Sequence, residues 1–148
     1  MTQILRHPVD DRVYEQYLRD FLPARLIDTH AHIWLKKFET QVDTAFRGAA
    51  WANKVAPQNS LDNLLQEYQL MLPGKNVTPV VFGWPGRNVD LELNNQWVRD
   101  QVRRYAFPTL LVCKPEIQPL DLQRMVSEGG FSGLKPYLDF APAELAPD

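Results

Sequence analysis

Past residue 24 the chain alternates between two kinds of segment. Compact apolar runs, "ARLIDTHAH", "VTPVVFG", "FPTLLVC" and "FSGLKPYLDF", are separated by stretches whose apolar residues recur at helical spacing. Strands that are apolar nearly throughout are buried on both faces. When helices separate them they pair in parallel, because a parallel neighbour is reached only through a crossover. The pattern predicts an α/β fold with a parallel sheet under covering helices. Two architectures share it, a small doubly wound sheet and part of a (β/α)8 barrel, and both carry their chemistry at the C-terminal ends of the strands.

The helices have readable ends. An introductory helix is expected over 10–22, with Val13, Tyr14, Tyr17, Leu18, Phe21 and Leu22 on its stripe, Asp10 as N-cap and Pro23 as stop. Ser60 caps a second helix carrying Leu61, Leu64, Leu65, Tyr68 and Met71. Asp90 caps a third, with Leu93, Trp97, Val98, Val102 and Tyr105 on one face. A shorter helix with Leu122, Met125 and Val126 stops at Gly129 and Gly130, and the last strand runs from about 131 to 137. Between the first strand and its helix lies a long connection, 34–59, without clean periodicity; at that length it reads as a functional loop or lid. The 148 residues are expected to form one domain.

Composition narrows the function. With 45% hydrophobic and 23% charged residues the chain can bury a core, so disorder is excluded for most of it. A net charge of -2 with scattered basic residues gives no footprint for nucleic acid. No apolar run approaches the roughly 20 residues that span a bilayer, and no signal-like segment opens the chain. The single cysteine, Cys113, allows neither an intrachain disulfide nor a thiolate-rich zinc site, and it reads as a small buried apolar residue. The expectation is a cytoplasmic protein acting on a small molecule, with no nucleic-acid or membrane partner.

The chemistry concentrates at the strand ends. His30 and His32 are two positions apart, so in a strand both imidazoles project to one side and can reach one ion. Neutral imidazole nitrogen suits zinc first, with manganese, iron, cobalt or nickel as alternatives; a pair of hydrogen-bonded core histidines is the competing reading. Asp28 shares their parity, placed to hydrogen-bond a ring N–H or to sit beneath them. After the later strands come "GWPGR", "CKPE" and "KPYLD", which put Trp84, Arg87, Lys114, Glu116, Lys135, Tyr137 and Asp139 near one rim. For Trp84, Arg87, Lys114 and Glu116, solvated loop or packing positions compete with that assignment. Lys135 stands out, because a lysine inside an apolar strand is costly unless it is paired, modified or near water. Trp34 and Trp51, in the long connection, cap a substrate or pack the loop down. His7 reads as a surface histidine.

Two of these segments carry a resemblance. "LIDTHAHIW" resembles the first-strand motif of the amidohydrolase superfamily, in which D-T/C-H-x-H ends strand 1 of a (β/α)8 barrel. "GGFSGLKPYLDFAP" resembles the strand-4 region of the amidohydrolase-related branch, where G-F-x-G-x-K leads into the strand. The resemblance implies a (β/α)8 TIM-barrel type of fold of which this chain holds the first four βα units. It also implies a metal-dependent hydrolase in which a metal-bound water attacks an ester, lactone or amide of a small organic substrate. His30 and His32 would be metal ligands. Lys135 would be the catalytic strand-4 lysine, as a carbamate or as a contact to a substrate carboxylate; from their positions after strands 1, 2 and 4, Trp34, Trp84, Arg87 and Tyr137 are expected with Lys135 as substrate-binding residues. Relatives in the same branch are decarboxylases, which makes carbon–carbon cleavage the enzymatic alternative. The family draws further ligands from strands 5 and 6 and an aspartate from strand 8, and the chain holds about half of the roughly 250 residues of a typical barrel. By itself it is therefore expected to be inactive, to pair with a missing C-terminal half, or to close as a homo-oligomer or scaffold of half-barrels.

Overall fold

The computed structural model describes residues 5–40, 56–86 and 88–137. Its elements follow the alternation read from the sequence. A helix α1 (Pro8–Val13) continues into a π-helical turn (Tyr14–Leu18), and β1 (Arg25–His32) leads to a short 3-10 turn (Lys36–Phe38). Then come α2 (Leu61–Met71), β2 (Asn76–Phe82), α3 (Leu91–Val102), β3 (Leu110–Cys113), α4 (Pro119–Gly129) and β4 (Gly133–Pro136).

β1 pairs in parallel with β2, from Arg25 opposite Asn76 to His32 opposite Phe82. β3 pairs in parallel with β4, from Leu110 opposite Gly133 to Cys113 opposite Pro136. One parallel bridge, Val81 to Thr109, joins the two pairs. It is reinforced where the Val81 N–H donates to the Pro108 carbonyl (2.9 Å) and the Thr109 hydroxyl donates to the Val81 carbonyl (2.8 Å). The described strands thus form two two-stranded parallel sheets, β1–β2 and β3–β4, that meet at this single bridge.

The core lies between β1, β2 and the helices over one face. Ala31 and Ile33 meet Leu61 and Leu64 of α2, Val81 of β2, and Val98 and Val102 of α3, with Leu65, Tyr68, Trp97 and Phe107 closing its margin. Burying side chains of this size contributes roughly 1.5–3 kcal/mol each, which holds the helices to the sheet. The N-terminal segment is tied on by polar contacts. The Tyr14 hydroxyl donates to the Pro73 carbonyl (2.6 Å), and the Lys75 ammonium donates to the carbonyls of Arg19 and Leu22 (2.5 and 2.6 Å). Among the described residues no helix is long and apolar enough to cross a membrane.

Two expectations need correction, the start of the introductory helix and the burial along α3. The introductory helix begins at Pro8 with His7 as its cap, ahead of Asp10, because proline at the first helical position loses no hydrogen bond; Asp10 instead accepts the His7 N–H (2.8 Å). In the 34–59 connection, Trp34 and Asn59 pair through both backbone groups and Phe38 is buried beside Trp97. Residues 41–55, including Trp51, lie outside the described residues. Of the apolar stripe expected on α3, Val98, Val102 and Trp97 pack into or against the core, but Leu93 is 52% exposed and Tyr105 40% exposed, and Asn94 and Asn95 are buried instead.

The burial of Asn95 has a physical reason. β2 bridges β3 at Thr109, and further along Asn95 takes over both backbone groups of Val112. Its Nδ2 donates to the Val112 carbonyl (2.8 Å) and its Oδ1 accepts the Val112 N–H (3.1 Å), both in the buried interior. An unpaired buried backbone group costs more than an apolar side chain gains at this position. Asn95→Ala is expected to lower the unfolding free energy by about 2–4 kcal/mol, read from equilibrium chemical denaturation. A loss under about 0.5 kcal/mol, the level of an ordinary surface change, would show that water replaces the clamp.

Candidate metal centre

The end of β1 is bent out of simple alternation. Asp28 lies opposite Pro79 and Ala31 opposite Val81, so three steps along β1 match two along β2. One extra residue in a strand reverses which face the following side chains take. Before this bulge Asp28 points toward the helices, where its Oδ2 accepts the Tyr68 hydroxyl of α2 (2.6 Å). Its Oδ1 accepts the backbone N–H of His30 (2.9 Å) and ties the bulge shut. After the bulge Ala31 and Ile33 enter the core, and His30 and His32 take the opposite face. Asp28 therefore does not share the histidines' side, as an uninterrupted strand would require, and it hydrogen-bonds no imidazole.

His30 Nε2 and His32 Nε2 lie 3.2 Å apart. Two imidazole nitrogens at about 2.0–2.1 Å from one tetrahedral cation stand roughly 3.3 Å apart, so the pair fits chelation of a single ion. The tautomer fits too. His32 Nδ1 is 3.0 Å from the Gly83 carbonyl, which only accepts, so Nδ1 carries the proton and Nε2 presents its lone pair to the open face. Burial lowers the His32 pKa from 6.5 to about 4, the Gly83 hydrogen bond opposes it, and the charges of His30 and Lys135 lower it further. The ring is neutral at physiological pH, the form a metal ligand needs.

The Gly83 carbonyl is positioned by close packing. A Cβ at Gly83 would stand 2.3 Å from Asn94 Nδ2, which in turn donates to the Trp84 carbonyl (3.3 Å). Only glycine lets the chain pass Asn94 here while its carbonyl meets His32.

Most of the residues expected at the rim come together. The Phe82 ring meets His30 and His32 edge-on, at 5.1 and 4.4 Å between centroids. Trp84 stands 5.6 Å from His32, and Trp34 5.5 Å from Trp84. Lys135 reaches in from β4, its Nζ 5.3 Å from the Phe82 ring centre and 5.2 Å from that of Tyr137. Two aromatic faces thus offset part of the cost of the charge, each by about 0.5–1 kcal/mol. The Tyr137 hydroxyl is 3.3 Å from His32 Nε2. Arg87 and Asp139 lie outside the described residues, and Lys114 and Glu116 are exposed after β3. Cys113 is buried, and burial pushes its thiol up, away from a nucleophilic thiolate. Among the described residues no third histidine, cysteine, aspartate or glutamate completes a metal-holding group.

Sequence reasoning missed Phe82, Gly83 and Asn94. Phe82 and Gly83 end the second strand at the same rim as the histidines, and that position is a usable signal. Asn94 gives none, since a polar residue in a helix ordinarily faces water.

The histidine pair generates a pH dependence. The unfolded chain protonates His32 near 6.5 and the folded chain near 4, so the unfolded state binds the extra proton first as pH falls. Stability is expected to decline from about pH 6.5 toward pH 4, with this group's contribution levelling off below that. Urea midpoints of the wild type and His32→Gln across this window check it: parallel curves would refute the assignment. No family model matches the chain, and no curated protein or solved structure matches it.

Proposed function

We propose that the chain is the first four βα units of a (β/α)8 metal-dependent hydrolase of the amidohydrolase type, acting in the cytoplasm on a small carboxylated substrate. The observation that carries this reading is the 3.2 Å approach of His30 Nε2 and His32 Nε2 at a strand end, with the His32 tautomer set by Gly83. Two parallel strand pairs that meet at the Val81–Thr109 bridge support the barrel half. A bound divalent cation, zinc first, supplies a Lewis acid that activates water near neutral pH and polarises the substrate oxygen. The chain's own residues hold and shape that site. The Phe82, Trp84 and Trp34 rings give it an apolar wall, and the Lys135 ammonium offers a partner for a substrate carboxylate.

Metal content per chain in the purified protein, beside His30→Ala prepared identically, is the test. Near one equivalent is expected in the wild type and a small fraction of that in the variant. Absence of metal from both would sink the metal-centre reading. The resemblance implies further site residues from strands 5, 6 and 8 that this chain does not supply, so it is expected to bind metal without turnover. Ester or lactone hydrolysis that tracks metal content and disappears in His30→Ala would instead show a self-sufficient site.

A second reading, self-association of half-barrels, is favoured by Ile27. It neighbours Asp28 on β1 and takes the face opposite the helices, where it is 72% exposed. A parallel sheet is ordinarily covered on both faces, and an apolar side chain on its open face is where such a cover would sit. Sedimentation is expected to give a dimer that Ile27→Asp weakens at least tenfold; a monomer at all concentrations would reject it.

A further inference from the structure

We infer that Tyr137 is the third protein ligand of the cation held by His30 and His32, through its phenolate oxygen. This rests on the metal-centre reading and completes its donor set. Tyr137 Oη lies 3.3 Å from His32 Nε2, and His30 Nε2 lies 3.2 Å from the same atom. Both separations match the roughly 3.3 Å edge between donors around one tetrahedral zinc-sized ion. The two donors therefore flank His32 as neighbouring ligands would.

Charge argues the same way. Two neutral imidazoles bring no negative charge, and the Lys135 ammonium, over the Tyr137 ring at 5.2 Å, opposes a divalent cation nearby. Among the described residues no carboxylate joins the histidines to offset it. A phenolate oxygen supplies the missing negative charge. On ligation the phenol O–H bond breaks, the proton leaves to solvent, and the oxygen lone pair forms the bond to the metal, with no change of oxidation state. Without metal the same 3.3 Å contact lets the hydroxyl donate to the His32 Nε2 lone pair, so one geometry serves both states.

The test is titration of the metal-free 148-residue protein with Cu²⁺, the tightest-binding divalent ion of its row, followed by visible absorption and affinity, beside Tyr137→Phe and His30→Ala. The expected result is one Cu²⁺ per chain with a phenolate-to-copper charge-transfer band. Tyr137→Phe is expected to lose the band and to bind at least tenfold more weakly, while His30→Ala loses stoichiometric binding. A tyrosine that only orients His32 also costs affinity when removed, but it gives no band, so stoichiometric binding without the band overturns the proposal and leaves the histidine pair standing. Absence of Cu²⁺ binding by the wild type overturns the ligand assignment together with the metal centre. Should Tyr137→Phe fail to fold, the wild-type spectrum alone decides, by the presence or absence of the band.

Discussion

One carboxylate orders the region on which the functional reading depends. Asp28 accepts the Tyr68 hydroxyl of α2 with one oxygen and the His30 N–H with the other, and between those bonds the strand takes in an extra residue. The first bond fastens β1 to the helix layer; the second stabilises the bulge. Together they reverse the alternation of β1, so that Ala31 and Ile33 complete the core while His30 and His32 face the open side. In a regular strand that kept Asp28 on the helices, both histidines would be driven into the apolar core, where an unpaired imidazole is costly. Tyr68 is suited to its part, since burial and the Asp28 carboxylate push its phenol pKa up and keep it a donor.

Beyond the bulge, the pocket is a balance between aromatic faces and charge. Phe82 packs against both imidazoles and lies under the Lys135 ammonium, so one ring contacts three titratable side chains at this rim. The same crowding that desolvates His32 and keeps it neutral also brings Lys135 close enough to depress its protonation further. An ammonium standing on the ring that packs both imidazoles favours a negatively charged neighbour over a cation at this rim.

Much of this was legible in the sequence. The four strands and three of the helix caps fall where the apolar runs, Ser60, Asp90 and the glycines at 129 and 130 put them, because those signals are local. The two-residue spacing of His30 and His32 was enough to place both rings on one side. Trp34, Trp84, Lys135 and Tyr137 were readable as rim residues because each follows or ends a strand. Two features were not legible. The burial of Asn94 and Asn95 beside the apolar stripe of α3 was not legible, since periodicity counts apolar residues and cannot register that the Val112 backbone needs a partner in Asn95. The direction of Asp28 was misread because a bulge leaves no mark in hydrophobic alternation.

The sequence by itself determined which segments are strands and helices, that the strands are parallel, and that imidazoles, an ammonium and aromatic rings cluster at the strands' C-terminal ends. These follow from local periodicity and from the rule that helices separate parallel strands. Only the tertiary structure decided that His32 presents Nε2 rather than Nδ1, that Tyr137 stands beside it, and that Lys135 rests on two aromatic faces. The His32–Gly83, His32–Tyr137 and Lys135–Phe82 contacts join residues 51 to 105 positions apart and are set by a bulge, a close glycine–asparagine approach and strand register, which no spacing along one element encodes; only the Lys135–Tyr137 contact is local.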